Sequence, residues 1–372
     1  MRRLPVVLLL ALAFPPWAAA QPQEWRPALP GYAYRFPRDH GSHPAFRTEW
    51  WYYSGHLSDP SGGRYAFMLT FFRSGLRPPA PEERPRLSRW ALRNLYFAHL
   101  ALLDARTGEH RYFERKSRGA LEEAGAAEGG LDVWLGGWRA RGSEAEGRYV
   151  MEIAAEAGGA GLRLALLPQK PPVIHGEGGV IQKAEGRGRA SHYVSFTRLA
   201  ARGEIMLRGR RLRVEGSAWM DHEFGSNQLA PGQAGWDWLS LQLSDGRDLM
   251  LYLMRRREGG HDPRGSGTIV EKDGRARHLP LGAFRLEGTG RWRSPESGAE
   301  YPMGWRVQVP AEGIDLTLRP LAEAQELRTS GSTRVTYWEG GVEARGRSGG
   351  AEATGLGFVE MTGYAERERP AF

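Results

Sequence analysis

Residues 211–243, RLRVEGSAWMDHEFGSNQLAPGQAGWDWLSLQL, decide the fold because two strand-like patterns meet there. One pattern runs up to Phe224, and another begins after the turn-forming residues 230–232, Ala-Pro-Gly. Asp221 stands two residues after Trp219, so an extended chain places both side chains on one face. We interpret the stretch as the end of one β-barrel and the beginning of a second, with Asp221 beside an apolar pocket.

The chain repeats a short aromatic pattern about half its length apart. The two copies are Trp50-x-Tyr52-x-Ser54 and Trp236-x-Trp238-x-Ser240. We interpret the repeat as two copies of one barrel-like unit, because repeats this long indicate tandem domains. In the first copy, aromatic residues occupy both faces of the strand. This suits either a barrel wall with another layer packed outside it, or a barrel whose interior is a pocket for an apolar ligand.

Turn residues divide much of the chain into pairs of alternating runs. Four such pairs, at residues 50–73, 94–118, 241–256 and 267–281, predict antiparallel hairpins, and the last two turn at Asp-Gly. Helical patterns are scarce, the best being 87–92 and 320–326. The sequence therefore predicts an all-β fold of two tandem antiparallel β-barrel domains, at residues 21–229 and 230–372.

Composition limits the cellular setting and the chemistry. Residues 1–20 have two arginines and a short apolar run and end in three alanines, which is typical of a signal peptide and predicts a periplasmic or secreted protein. No later apolar run is long enough for a membrane span, so we expect no integral membrane protein. The chain has no cysteine, which excludes disulfides and thiolate catalysis. Its net charge is +8, but the arginines are scattered among acids, so we expect no nucleic-acid partner.

Six motifs occur in order along nearly the whole chain after residue 20. They are FPRDHGSHPAFRTEWWYYSGHL (36–57), HGEGGVIQK (175–183), ASHYVSFTRL (190–199), SAWMDHEFGSNQL (217–229), GWDWLSLQLSDGRDLMLY (235–252) and VTYWEGGVEARG…GLGFVEMTGY (335–364). Together they resemble the carotenoid hydratase/AttH-like family, often described as predicted secreted hydrolases. The resemblance implies two lipocalin-like β-barrel domains in tandem. It also implies activities that range from water addition to an isoprenoid alkene to reactions of phenolics and polyketides.

The resemblance also implies site residues and a partner. Asp221 matches the motif aspartate that acts as the acid of the hydratases, and His192 matches the histidine that supports it. The residue two before the aspartate resembles a tyrosine in the carotenoid enzymes, whereas this chain has Trp219, so a phenol is replaced by an indole. The secreted bacterial branch lies beside export systems, which implies a possible ABC-type exporter as partner.

The residue types fit such chemistry. A carboxylic acid in an apolar site can stay protonated near neutral pH, and aromatic faces stabilise a developing cation. We therefore expect Asp221 and His192 to be catalytic; an alternative is that Asp221 caps a turn or pairs with an arginine such as Arg211. The residues expected around the substrate are Trp219, Tyr193, Glu49, Trp51, Glu223 and Trp236.

Other polar motifs have simpler interpretations. His40 and His43 have a spacing found in metal sites, but no further ligand pattern follows, so we expect no metal. We also expect no cofactor. The glycines after His175 predict a turn or a pocket rim. No G-x-S-x-G motif is present, which disfavours a serine-hydrolase triad.

Two functions follow as hypotheses. The first is an exported lipocalin-like enzyme that hydrates or hydrolyses a hydrophobic, isoprenoid- or lipid-like substrate with an aspartate acid/base. The alternative is a non-catalytic periplasmic accessory protein that binds a lipid or lipoprotein and is linked to an ABC export system. A third possibility, a purely structural protein, predicts no sizeable cavity.

Overall fold

The computed structural model describes residues 24–79, 92–226 and 229–365. The predicted signal peptide and the helix predicted at 87–92 lie outside these residues, apart from Leu92. Within them, no helix is long and apolar enough to cross a membrane. Four short 3-10 helices are present, at Arg38–His40, Ala120–Glu122, Leu281–Ala283 and Pro310–Glu312.

The first half of the chain forms one 13-stranded antiparallel sheet. Its strands are β1 (Thr48–Ser58), β2 (Arg64–Gly75), β3 (Asn94–Asp104), β4 (Glu109–Ser117), β5 (Ala124–Ala126), β6 (Asp132–Leu135), β7 (Trp138–Ala145), β8 (Arg148–Ala157), β9 (Ala160–Pro168), β10 (Val173–Ile174), β11 (Ile181–Gln182), β12 (Ala190–Leu207) and β13 (Arg210–Gly225). Their order is β4-β3-β2-β1-β13-β12-β9-β8-β7-β6-β5, with β10 and β11 also on β12. The sheet curls into a nearly closed barrel, so that β4 contacts β6.

The second half forms a 10-stranded sheet, a half-barrel, and a separate two-stranded ribbon. Its strands are β14 (Gln233–Leu243), β15 (Asp248–Arg256), β16 (Ser266–Val270), β17 (Ala276–Pro280), β18 (Arg285–Gly288), β19 (Trp292–Arg293), β20 (Glu300–Tyr301), β21 (Trp305–Val309), β22 (Ile314–Pro320), β23 (Glu326–Arg328), β24 (Thr336–Ser348) and β25 (Ala351–Thr362). The order is β17-β16-β15-β14-β25-β24-β22-β21-β18, with β23 on β24 and β19 paired with β20. The fold is all-β, with two lipocalin-like barrel domains, as predicted.

The two sheets follow one plan. Starting from the repeated pattern, β1 corresponds to β14, β2 to β15, β13 to β25 and β12 to β24, because each pair has the same neighbours in its sheet. Gly203 of β12 and Gly346 of β24 share a φ of +153°, and a Cβ on either would lie 2.1 Å from a backbone oxygen of the next strand. The matching bends support the interpretation that the aromatic repeat marks two copies of one unit.

The local structure agrees with the turn chemistry in most places. All four predicted hairpins form, as β1–β2, β3–β4, β14–β15 and β16–β17. Gly246 and Gly274 take φ of +91° and +90° at the two Asp-Gly turns, a conformation that a Cβ disfavours. The helix predicted at 320–326 is wrong, because Pro320 ends β22 and Glu326 begins β23.

Three apolar clusters show where each strand face packs. One fills the first barrel and includes Trp51, Tyr53 and Trp138, and a second lies inside the half-barrel. The third lies between the two sheets and joins residues such as Tyr52 and Trp219 to Trp238. Of the two alternatives for the doubly aromatic strand, the structure therefore shows a second layer packed outside the wall.

A buried ionic group ties the two sheets together at one end. Asp248, at the start of β15, accepts hydrogen bonds from Lys170 Nζ at 2.7 Å and from Thr197 Oγ1 at 2.8 Å. Arg198 also pairs with its carboxylate at 2.6 Å. Since Asp248 is fully buried, this contact fixes how one sheet lies on the other. The predicted domain boundary after residue 229 stays a prediction, and it falls between β13 and β14.

Candidate functional site

Asp221 lies on β13, on the strand face that points out of the first barrel and packs against the second sheet. Its neighbours across the strands are Tyr52 of β1 and Ser195 of β12. Alternation puts Met220 and His222 on the opposite face, towards the barrel interior. Asp221 is 3% exposed, so its carboxyl group is almost fully removed from bulk water. Asp221 and Trp219 share a face, as predicted, and that face is the one between the sheets.

Three side chains donate hydrogen bonds to the Asp221 carboxyl group. The Trp219 indole N–H donates to Oδ1 at 2.6 Å, and Ser195 Oγ also donates to Oδ1. Tyr193 OH donates to Oδ2 at 2.7 Å. Burial raises the pKa of Asp221 to about 7, and these hydrogen bonds oppose the rise because they stabilise the charged form. The group is therefore close to its titration midpoint near neutral pH.

A cavity of about 120 Å³ adjoins Asp221 between the two sheets. The first sheet contributes Trp50, Tyr52, Tyr193, Asp221 and Glu223 to its lining. The second sheet contributes Trp236, Trp238, Tyr252, Tyr337, Glu339 and Glu360. Neither half of the chain encloses this space alone, so the candidate site belongs to the contact between the halves.

Two more acidic groups face the cavity from the second sheet. Glu339 of β24 and Glu360 of β25 lie directly opposite one another on neighbouring strands. Tyr52 OH donates to Glu339 Oε1 at 2.7 Å, and the Trp236 indole N–H donates to Glu360 Oε1 at 3.1 Å. Burial raises the pKa of Glu360 to about 7, while burial and the charge of Glu360 raise the pKa of Glu339 well above its ordinary value.

The walls of the cavity carry equivalent residues of the two copies. Asp221 lies opposite Tyr52 in the first sheet, and Glu360 lies opposite Trp238 in the second, so the two carboxyl groups occupy the same position of the repeat. Tyr193 and Tyr337 correspond in the same way on β12 and β24. The site is thus built where the two copies of one strand face approach each other.

One cation stands at the edge of the cavity. Lys183 forms an ion pair with Glu223 and lies with its Nζ 4.9 Å from the centre of the Trp50 ring. This pairing neutralises one of the cavity carboxylates. Asp221, Glu339 and Glu360 have no Lys or Arg ion pair within the described part of the chain.

The predicted site residues fall into two groups. Tyr193, Glu223 and Trp236 line the cavity, and Trp219 holds the Asp221 carboxyl group. Three others lie elsewhere, because each is on the opposite face of its strand: His192, Glu49 and Trp51. The predicted contact of His192 with Asp221 is not formed, since His192 lies opposite Phe224 and Ser195 lies opposite Asp221.

Glu49 belongs to a buried polar network at the end of the first barrel. Its carboxylate accepts hydrogen bonds from Arg73 Nε at 3.0 Å and from Ser42 Oγ at 3.1 Å, and pairs with His43 Nδ1 at 2.8 Å and His222 Nε2 at 2.9 Å. His43, Glu49 and His222 have ligand-type atoms within 4.8 Å of one another. A metal ion there would compete with the Arg73 guanidinium for the same carboxylate. We therefore interpret the network as structural.

Sequence reasoning missed several residues of the site, including two glutamates, a serine and a histidine. Glu339 and Glu360 lie within the last of the six motifs, but no motif shows that they meet, because only the pairing of β24 with β25 brings them together. Ser195 and His175 were overlooked as partners of Asp221: His175 Nε2 lies 2.7 Å from Ser195 Oγ. The His-Gly-Glu-Gly-Gly motif was a usable signal, since it marked His175 as the rim of a pocket.

Comparisons with known proteins identify the family of this chain and structures that share its fold. A sequence profile of the family described as AttH-like matches residues 27–364. The crystal structure of an AttH from Nitrosomonas europaea has a TM-score of 0.81 and 34% identity, over 92% of this chain and 100% of that one. Kievitone hydratase from Nectria haematococca has a TM-score of 0.68 and 14% identity, over 92% and 97%, which shows a shared fold. Among curated proteins, none matches the chain.

Proposed function

The chain belongs to the AttH-like family, and from this premise we propose that it is an exported enzyme acting on a hydrophobic, isoprenoid- or lipid-like substrate. Its reaction would be hydration of an alkene or hydrolysis, with Asp221 as the acid/base group. One observation carries the proposal: a buried carboxyl group with a pKa raised to about 7 lies beside a cavity with aromatic walls. A group with a pKa near the working pH exchanges protons most effectively.

The cavity walls suit the charge that develops during water addition to an alkene. Protonation of the alkene leaves a carbocation, and the faces of tryptophan and tyrosine rings attract a cation. Trp50, Trp236 and Trp238 supply such rings around the acidic groups. Hydration is also the reaction in the name of kievitone hydratase, which shares only the fold with this chain.

Turnover by the full chain after residue 20 tests this proposal. The protein is incubated in ¹⁸O-labelled water with acyclic isoprenoid alkenes and with isoprenoid and acyl esters, and mass spectrometry detects products that have gained labelled oxygen. Asp221→Asn should lower turnover by about 100-fold or more, since acid–base groups commonly contribute that much. Binding of the same molecules, followed by tryptophan fluorescence, should persist because Asn keeps the shape of the side chain.

Asp237→Asn is the matched control. Asp237 is a half-buried aspartate between Trp236 and Trp238, but it points away from the cavity and contacts Arg255 and Tyr364. Its replacement should leave turnover unchanged. Full turnover by the Asp221→Asn protein would refute the acid/base role.

The alternative function, a non-catalytic lipid- or lipoprotein-binding accessory of an ABC export system, uses the same cavity. It predicts a co-purifying hydrophobic molecule and no labelled product with any substrate. The exporter partner has no support from the features described above and stays a prediction. Export itself depends on residues 1–20, and a protein that begins at Gln21 in the periplasmic fraction would support it.

A further inference from the structure

Two of the hydrogen-bond donors around Asp221 point their hydrogens at its carboxyl group because of their chemistry and their other contacts. An indole N–H can only donate, so Trp219 always offers a proton to Oδ1. Tyr193 OH accepts the Trp238 indole N–H at 3.0 Å, and its own hydrogen is then free to point at Asp221 Oδ2. Neither donor can reverse its role without breaking another buried hydrogen bond.

The third donor, Ser195, contacts a buried histidine. Ser195 Oγ lies between Asp221 and His175 Nε2, and His175 Nδ1 lies 2.8 Å from Thr268 Oγ1 of the second sheet. Burial lowers the pKa of His175 to about 3, so the ring is neutral and carries one N–H. If Ser195 donates to Asp221, it accepts from Nε2–H, and Nδ1 accepts from Thr268. In the tautomer with its hydrogen on Nε2, the chain of hydrogen bonds therefore runs from Thr268 through His175 and Ser195 to Asp221.

Asp221 is therefore arranged as a hydrogen-bond acceptor. Both of its oxygens already face N–H or O–H groups, so a proton on the carboxyl group would displace one of three buried bonds or require Ser195 and His175 to reverse theirs. This arrangement favours the carboxylate, although burial alone favours the neutral acid. A carboxylate held in this way is suited to accept a proton from a water molecule.

The cavity wall formed by the second sheet instead favours protonated carboxyl groups. Glu339 and Glu360 each accept one hydrogen bond, and they face each other across neighbouring strands. The charged groups near them are Asp221 and Glu223, which disfavour ionisation of the pair, and Lys183, which is already bound to Glu223. The other titratable side chains that line the cavity are Tyr52, His99 and Tyr193 of the first sheet and Tyr252 and Tyr337 of the second. Two adjacent buried carboxyl groups do not both ionise readily, so the pair retains a shared proton.

We propose that the two walls divide the reaction: the Glu339–Glu360 pair donates the proton, and Asp221 accepts one from water, with His175 as a positioning residue. The inference rests on the proposed function and concerns its hydration reaction. The π bond of the alkene breaks as one carbon takes the proton of the glutamate pair. Water bonds to the resulting cation, and its proton passes to the Asp221 carboxylate. After the product leaves, water carries that proton back to the glutamate pair.

Infrared spectroscopy of the full chain after residue 20 tests the acid without any substrate. The carbonyl band of protonated carboxyl groups is followed from neutral to alkaline pH in protein labelled with ¹³C at the carboxyl carbon of glutamate or of aspartate. Asp237→Asn serves as the background, because Asp237 is another aspartate with little exposure to water. We expect the band that persists to the highest pH to shift with glutamate labelling. If that band shifts only with aspartate labelling and is absent from the Asp221→Asn protein, the proposal is overturned.

Substitutions assign the band within the glutamate class. Glu339→Gln or Glu360→Gln removes the repulsion inside the pair, so the band should titrate at a pH lower by about one unit or more. Glu326→Gln is the control: Glu326 is a buried glutamate of the second sheet outside the cavity, where three hydroxyl groups donate to it. An unchanged titration in both test variants would overturn the pair as proton donor.

His175 has its own readout in the aspartate-labelled protein. His175→Leu frees Ser195 to turn away, so the aspartate carbonyl band should persist to a pH higher by about one unit. His175→Gln keeps a hydrogen-bonding donor and acceptor and should reverse that shift, which a purely structural role would not do. Ser195→Ala, a smaller change, should reproduce the leucine result. An unshifted aspartate band in both His175→Leu and Ser195→Ala would overturn the positioning role.

The two proposals fail in different ways. If labelled product forms but the band that persists to the highest pH belongs to aspartate, the enzyme stands and the division between the walls falls. If no substrate gains labelled oxygen but the band belongs to the glutamate pair, the proton is placed as inferred and the assigned reaction is wrong.

Discussion

Asp221 experiences two opposed effects, and its titration reports their balance. Burial raises the pKa of its carboxyl group from 3.8 to about 7, so the folded protein binds this proton more tightly than the unfolded chain does. Stability is therefore greatest below the unfolded pKa and falls as the pH rises towards the folded value. Above pH about 7 the loss is complete.

Asp221→Asn should flatten this part of the stability profile, because Asn does not ionise. The variant should gain stability relative to the parent between acidic and neutral pH, by on the order of 4 kcal/mol. Urea denaturation at a series of pH values measures the difference. Parallel curves for the two proteins would contradict the prediction.

At this scale the sequence predicted some contacts and missed others. Asp221 was identified from its motif, and its shared face with Trp219 follows from alternation. The partner histidine was not predictable, because the register of β12 against β13 decides whether His192 or Ser195 meets Asp221. A single sequence contains no direct signal for register between strands that lie far apart along the chain.

At the scale of single strands, the paired glycines of β12 and β24 set the bend of each sheet. Gly203→Ala or Gly346→Ala would place a Cβ 2.1 Å from a carbonyl oxygen at a φ that L-residues rarely adopt. We expect each to destabilise the protein by about 1–3 kcal/mol, the usual cost of such backbone strain. Chemical denaturation measures the loss.

Gly282→Ala is the control for these substitutions, because no atom lies within 4 Å of its added Cβ and its φ is not positive. Its effect should stay within about 0.5 kcal/mol. If Gly203→Ala and Gly346→Ala were as mild as this control, the proposed role of the two bends would be incorrect.

Strands and turns were the most predictable part of the structure. Asp-Gly turns and alternating runs gave all four hairpins, since both signals are local. The segment 320–326 was predicted as a helix because it is rich in good helix formers, but tertiary contacts prevail there. Pro320 and Leu327 both belong to strands that pair with β24.

At the scale of the whole molecule, the buried Asp248 group holds one sheet against the other. Asp248→Asn would leave Lys170 and Arg198 with less than their full countercharge in the contact between the sheets. Breaking a buried ion pair on one side commonly costs about 3–5 kcal/mol. Calorimetry should show a lower midpoint and a transition that is no longer a single cooperative step.

Asp273→Asn provides the comparison, because Asp273 is exposed and pairs only with Arg275 of the same turn. We expect its effect to remain within about 0.5 kcal/mol. An Asp248→Asn protein that melts like the Asp273→Asn protein would show that the sheets are held together by their apolar contact alone.

The sequence predicted two barrels but not where the cavity lies. Both faces of β1 are aromatic, so its pattern could not show which face turns inward. The structure places Trp51 and Tyr53 in the filled barrel and Trp50 and Tyr52 at the cavity. Only the packing of one sheet on the other distinguishes the two faces, and that packing depends on contacts between residues far apart in the chain.

The shared cavity has a practical consequence for protein engineering. A fragment that ends at Gly225 would keep Asp221 but lose both glutamates, and one that begins at Gln233 would keep the glutamates but lose the aspartate. Grafting either half onto a foreign scaffold would transfer only one wall of the cavity. The smallest portable unit that carries the whole candidate site is therefore the joined pair of barrels. Libraries that shuffle the halves of relatives must recombine walls that fit each other.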